Sequence, residues 1–134
     1  MDHTPIPEDL RRFVLTSVPS VPFLEALLLL RANPGQQWSA ETLSGRLYIS
    51  ERTAQALLDE LCRAAMARPC TARDPQARAH TYSYAPASEQ LRERIDLLAE
   101  LYARHLVDIT HLIHSTLERK AQQFADAFRL RKEP

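Results

Sequence analysis

Arg52, Thr53 and Gln55 follow Ser50 at the head of the segment ERTAQALLDELCRAA, which runs from Glu51 to Ala65. Serine is a favoured N-cap, because its oxygen accepts from a backbone N–H that the first helical turn leaves unpaired. A helix over Glu51 to Ala65 therefore carries these three side chains in its opening turns. From there arginine and glutamine can hydrogen-bond base edges in the major groove of a duplex. Ala56 offers only an apolar contact, such as one to a thymine methyl, while Glu51 could accept from cytosine and would repel phosphate. The plainer alternative is that these residues form a solvated helix face.

A second group of residues suits phosphate rather than bases. Arg63, Arg68, Arg73 and Arg78 stand against Asp74 alone, with His80 adding charge when protonated. Such a local excess fits a loop lying over a phosphate backbone or probing a minor groove. Ser39 and Thr42, at the head of an earlier helix, could donate to phosphate beside free backbone amides, or could simply cap that helix.

The whole-chain chemistry narrows the choices. Lys plus Arg and Asp plus Glu are 17 each, so any affinity for nucleic acid must be local rather than general. An enzyme is not expected. Gly35 and Gly45 are the only glycines, so no phosphate-binding glycine loop exists, and the histidines have no nucleophile arranged beside them. Asp108, His111 and His114 recur three residues apart, but a helix site of that kind needs further ligands, so neither a metal nor another cofactor is expected. Cys62 and Cys70 lack metal-type spacing and read as free thiols of a reducing cytoplasm. Met1 to Pro7 has no apolar stretch behind its acid and prolines, and the run Leu27 to Leu30 is far too short for a bilayer. The expectation is a cytoplasmic protein with no membrane partner.

The elements that must position these residues are mostly helical, given few glycines and many Leu, Ala, Glu, Arg and Gln. Residues 1–19 read as an arm with a short helix, Glu8 to Thr16, whose buried side is Leu10, Phe13 and Val14. Pro19 and Pro22 break it, and a helix from Val21 to Ala32 follows. Phe23, Leu24, Leu27, Leu28 and Leu30 cover so much of its circumference that it should be the most buried helix. Asn33, Pro34 and Gly35 end it.

Gln37 and Trp38 fit a very short strand, and Ser39 caps a helix from Ala40 to Leu47 with Leu43 and Leu47 inward. Gly45 within that helix reads as a point of close packing against a neighbouring helix. After a turn at Tyr48 and Ile49, the helix from Glu51 turns Ala54, Leu57, Leu58 and Leu61 inward. Met66 to Cys70 and His80 to Tyr84 are strands of a ribbon, joined by the polar stretch Thr71 to Ala79.

Past Ser88 no proline or glycine appears before Pro134. Leu91, Ile95, Leu98, Tyr102, His105, Ile109 and Leu112 recur at spacings of four and three, as on one face of a long helix. Unbroken to Leu130, that helix would be roughly 60 Å long at about 1.5 Å per residue. A stripe of that length must bend or find a partner, so these residues are the candidate contact of a homodimer.

The order of elements, and the string ISERTAQALLDELCRAAMARP from Ile49 to Pro69, resembles the winged helix-turn-helix family of bacterial transcription regulators. Ile49 precedes the capping Ser50, Ala54, Leu57, Leu58 and Leu61 occupy the family's apolar positions, and Met66 opens the wing. Ala65 stands where the family commonly has a glycine, which implies a different helix ending. With a long helix after the wing, the arrangement resembles MarR-type and PadR-type dimeric regulators. The resemblance implies a mostly α fold with a small β-wing: an N-terminal arm and helix over 1–19, the winged domain over 20–86, and a dimerisation helix over 87–134. It implies a homodimer that binds duplex DNA and regulates transcription through Ser39, Thr42, Ser50, Arg52, Thr53, Gln55, Ala56, Arg63, Arg68, Arg73 and Arg78. The competing expectation is a winged helix that serves only as a protein-interaction module, its partner another protein.

Overall fold

Trp38 lies at the join between helices and ribbon in the computed structural model, which describes residues 6–70 and 80–132, with backbone only at 116, 117 and 127–132. The chain divides into two compact units, one of Met1–Val21 with Leu97–Pro134 and the other of Pro22–Asp96.

In the second unit, α2 (Val21–Ala32) buries Phe23, Leu24, Ala26, Leu27 and Leu30, as its nearly all-round apolar surface predicts, while Leu28 is only half-buried. Asn33 closes its end by donating from Nδ2 to the Leu29 carbonyl at 3.0 Å. Helices α3 (Ala40–Leu47) and α4 (Glu51–Arg63) pack against each other. Leu43 and the stripe Ala54, Leu57, Leu58 and Leu61 are buried. At about 1.5–3 kcal/mol per fully buried large aliphatic side chain, that stripe is a main source of the unit's stability.

Strands β1 (Ala67–Pro69) and β2 (Tyr82–Tyr84) pair antiparallel with Ala67 opposite Tyr84 and Pro69 opposite Tyr82. They are shorter than the sequence pattern predicts, and Pro69, having no N–H, sits where β1 ends. Trp38 extends the ribbon on its other edge: its N–H donates to the Tyr82 carbonyl at 2.7 Å and its carbonyl accepts from the Tyr82 N–H at 2.8 Å. Wholly buried itself, Trp38 also lies 5.8 Å below the guanidinium of Arg46. Arg31 Nε donates to Asp96 Oδ1 at 2.9 Å, tying α2 to the middle of α5 (Glu89–Arg104). Ser88 Oγ accepts from the Leu91 N–H at the head of α5, at 3.1 Å.

In the first unit, α1 (Glu8–Ser17) packs on α6 (Leu106–Lys132), and Leu10, Phe13, Val14, Ile109 and Ile113 are buried. The single long helix expected from Glu89 onward is instead two, parted at His105. Neither proline nor glycine marks the break. Backbone bonds persist across it, from the His105 N–H to Leu101 at 2.7 Å and from the Ile109 N–H to His105 at 3.0 Å. The His105 ring faces Asp108, with Nδ1 3.6 Å from Oδ2. No single helix among the described residues is long and apolar enough to cross a membrane.

One expectation is corrected. Gly45 is exposed, and a Cβ placed on it meets nothing within 4 Å, so no neighbouring helix presses against it. Along the stripe expected to meet a second copy, Ile95, Leu98 and Ile109 are wholly buried, and Leu91, Tyr102, His105 and Leu112 are partly covered.

Candidate nucleic-acid interface

Ser50 sets the start of α4. Its Oγ accepts from the Thr53 N–H at 3.1 Å and donates to Thr53 Oγ1 at 2.8 Å. The cap satisfies an amide that the first turn would otherwise leave unpaired, and it engages both hydroxyls in doing so. The same holds one helix earlier. Thr42 N–H donates to Ser39 Oγ at 3.1 Å while Ser39 N–H donates to Thr42 Oγ1 at 2.8 Å, a reciprocal capping box. Ser39, Thr42, Ser50 and Thr53 therefore build the two helix starts.

Between the helices the chain turns through Tyr48, whose left-handed backbone (φ 57, ψ 45) ends α3 and leaves the ring 95% exposed. Arg52 and Ala56 then project from α4 as exposed side chains four residues apart, on one face. Asp59 and Arg63 continue that exposed face toward the C-terminus, with Glu51 at its head. Arginines and carboxylates alternate along it, so the helix carries no net positive field. Arg68, exposed on β1, is the described cation of the ribbon. Arg73 and Arg78, with Asp74, lie outside the described residues.

Gln55 is placed differently from the sequence expectation. It is half-buried, and its Nε2 donates to Asp59 Oδ1 at 3.0 Å and to Tyr82 Oη at 3.0 Å, joining α4 to β2. Sequence reasoning could not see this bond, which links residues 27 positions apart. Arg46 was also missed; a basic residue in the last turn of α3, next to the turn, was its only signal.

The end of α4 fixes where the ribbon begins. Met66 N–H donates to the Leu61 carbonyl at 3.0 Å and Ala65 N–H to Cys62 at 3.0 Å, with Ala65 held at φ 62. This paired arrangement closes a helix through a left-handed residue, and glycine is its usual occupant. Ala65 thus takes the glycine conformation, and the different ending expected from its side chain does not occur. Nearby, burial pushes the Cys62 thiol above its ordinary value, and Asp59 adds to that rise. A thiol held protonated is a poor nucleophile and metal ligand. Among the described residues, no three His, Cys, Asp or Glu side chains converge as a metal site.

With two helices joined by a tight turn and the second followed by a two-stranded ribbon, the chain is similar to solved structures. A MarR family transcription regulator is similar over 94% of this chain and 83% of its own, at 22% identity and a TM-score of 0.53. The homodimeric winged helix-turn-helix DNA-binding domain of Mb0332 from Mycobacterium bovis is similar over 73% of this chain and 82% of its own, at 18% identity and a TM-score of 0.52. The fold is a winged helix-turn-helix. A mutant of S. aureus MepR bound to an oligodeoxyribonucleotide is similar over 90% of each chain, at 13% identity and a TM-score of 0.51. No family model matches the sequence, and no curated protein matches it.

In the winged helix-turn-helix fold, α4 stands in the position of the recognition helix and the β1–β2 ribbon in that of the wing. Tyr82 belongs to both parts at once, through its backbone pairing with Trp38 and its side-chain bond to Gln55.

Proposed function

We propose that this protein is a DNA-binding transcriptional regulator that acts as a homodimer in the cytoplasm. The observation that carries the reading is the exposed head of α4: Ser50 caps it, Arg52 and Ala56 project from it, and the wing bearing Arg68 starts directly after it. A capped helix that presents its N-terminal side chains outward is the geometry needed to enter a major groove. The structural likeness to MepR, solved with an oligodeoxyribonucleotide, and to the homodimeric Mb0332 domain supports the same reading. The face proposed for a second copy includes, beside the stripe named by spacing, apolar side chains that are exposed. On α6 these include Leu106, Val107 and Phe124, which are 52%, 63% and 72% exposed.

The deciding experiment is a salt titration of binding to random-sequence duplex. Contacts to phosphate release counterions, so affinity should fall steeply as salt rises. No binding even at low ionic strength would refute the reading. One observation favours a second reading, a protein-interaction module without DNA binding: Glu51 and Asp59 balance Arg52 and Arg63 on the exposed face of α4. That reading predicts no duplex affinity and capture of a protein partner through α4.

A further inference from the structure

Gln55 has no donor left to offer a base. Its amide nitrogen carries two hydrogens, and Asp59 Oδ1 and Tyr82 Oη each take one at 3.0 Å. Glutamine reads adenine by donating to N7 while accepting from N6. To do so here Gln55 would surrender one of these bonds, and the loss would offset much of the discrimination gained. Tyr82 is a firm anchor, being 9% exposed, bonded through its backbone N–H and carbonyl to Trp38 and in register with Pro69 on its other side. The amide of Gln55 is thereby held between the wing and the outer face of the recognition helix.

Asp59 receives the other end of this link. A carboxylate only accepts; with Oδ1 engaged, its second oxygen stays available on an exposed side chain. Arg52, Ala56 and Asp59 stand at i, i+4 and i+7, which places them in a row along one face of α4. The row spans about 10 Å at about 1.5 Å per residue, close to three base-pair steps of about 3.4 Å. Its chemistry runs donor, apolar, acceptor.

We infer that Arg52, Ala56 and Asp59 are the base-reading row, and that Gln55 is a positioning residue which, braced on Tyr82, aims the Asp59 carboxylate into the groove. The inference rests on the DNA reading above. It names the substrate more closely: a duplex half-site offering guanine O6 and N7 to Arg52, a thymine methyl to Ala56 and a cytosine amino group to Asp59. Asp59 also repels phosphate, which lowers affinity for unrelated sequence and raises the weight of base contacts.

The test is selection of bound duplexes from a randomised pool by the full-length protein, with melting curves to confirm that each variant is folded. Asp59→Ala should flatten a cytosine preference at one position of the half-site by roughly 5- to 100-fold, while binding to random duplex stays equal or tightens. Asp59→Asn should move that position toward adenine. Gln55→Ala and Tyr82→Phe should each weaken preference at this same position, and together by no more than one alone. A selected site left unchanged by Asp59→Ala overturns the inference with the DNA reading intact. So does Gln55→Ala abolishing an adenine preference that Asp59→Ala leaves alone. Should the wild-type protein bind no duplex at low salt, inference and reading fall together.

Discussion

Met66 donates its backbone N–H to the carbonyl of Leu61 at 3.0 Å, and the bond is made only because Ala65 between them turns left-handed. Both Leu61 and Met66 are buried, so the turn couples α4 to the ribbon through packing as well as through the backbone. An L-residue with a Cβ pays about 1–2 kcal/mol for that conformation. Glycine would not, although it gives back some of the difference as added freedom in the unfolded chain. Ala65 is exposed, so no packing is lost. Ala65→Gly should therefore stabilise the protein by about 0.5–1 kcal/mol, a rise in melting temperature of roughly 2–4 °C. Ala65→Val should lower it, since branched residues tolerate positive φ poorly.

Gly45 makes the opposite case. It sits inside α3 with open space around its Cα and without a positive φ, so nothing local requires glycine. Gly45→Ala should gain about 0.8–1 kcal/mol of helix propensity, measured by denaturant unfolding. If the variant is stabilised yet binds duplex more weakly, the α3 surface at residue 45 lies close against the bound DNA.

These two residues also mark how far sequence reasoning reaches. The inward stripe Ala54, Leu57, Leu58 and Leu61 was legible because helical spacing and burial share one cause. Ser39 and Ser50 were legible because capping is local, and α3 starts and ends where its cap and turn predict. Ala65 was not, because alanine carries no mark of a left-handed residue; the demand comes from Met66 having to enter the wing. The Gln55 to Tyr82 bond depends on where the ribbon returns, and no spacing within α4 encodes that. For the C-terminal helices, spacing marked an apolar face, and Ile95, Leu98 and Ile109 on it are buried; the break at His105 was not legible, because neither proline nor glycine marks it.

Tyr84 should make stability fall at alkaline pH. Burial pushes its phenol above the ordinary value of 10.0, Asp96 adds to the rise, and Arg31 and Arg92 oppose it. A folded value raised above the unfolded one means that stability is whole below about pH 10 and is lost as pH climbs through the folded value. Tyr84 Oη is also buried without a hydrogen-bond partner among the described residues. Tyr84→Phe should thus be at least as stable near neutral pH, and should lose less stability on going to about pH 11. Denaturation midpoints of both proteins at the two pH values decide it; equal losses would mean that Tyr84 does not contribute.

Arg52 and Arg68 should separate base reading from phosphate binding. Arg52→Ala should cost about 1–3 kcal/mol at the selected site and relax one position of it. Arg68→Ala should weaken binding about equally across sequences and reduce the salt slope by about 1, and replacing Arg73 and Arg78 together should act in the same direction. Anisotropy titrations over a range of salt concentrations, on selected and on random duplex, distinguish the two effects. An Arg68→Ala protein with an unchanged slope would remove Arg68 from the phosphate contacts.

The contact between copies can be tested on α6 without disturbing the core. Leu106 and Val107 are exposed, whereas Ile109, two positions on, is wholly buried. Putting charge on the first pair leaves intrachain packing alone, while truncating Ile109 costs about 2–5 kcal/mol of stability and would confuse dissociation with unfolding. Leu106→Asp with Val107→Asp should therefore give a folded monomer by sedimentation equilibrium, with wild-type helicity. Binding to a two-half-site duplex should fall by about 100-fold or more, because the second half-site is no longer engaged intramolecularly. Binding to a single half-site should change little. A variant that sediments as a dimer would move the contact away from Leu106 and Val107, with Phe124 the next apolar side chain on that helix to charge.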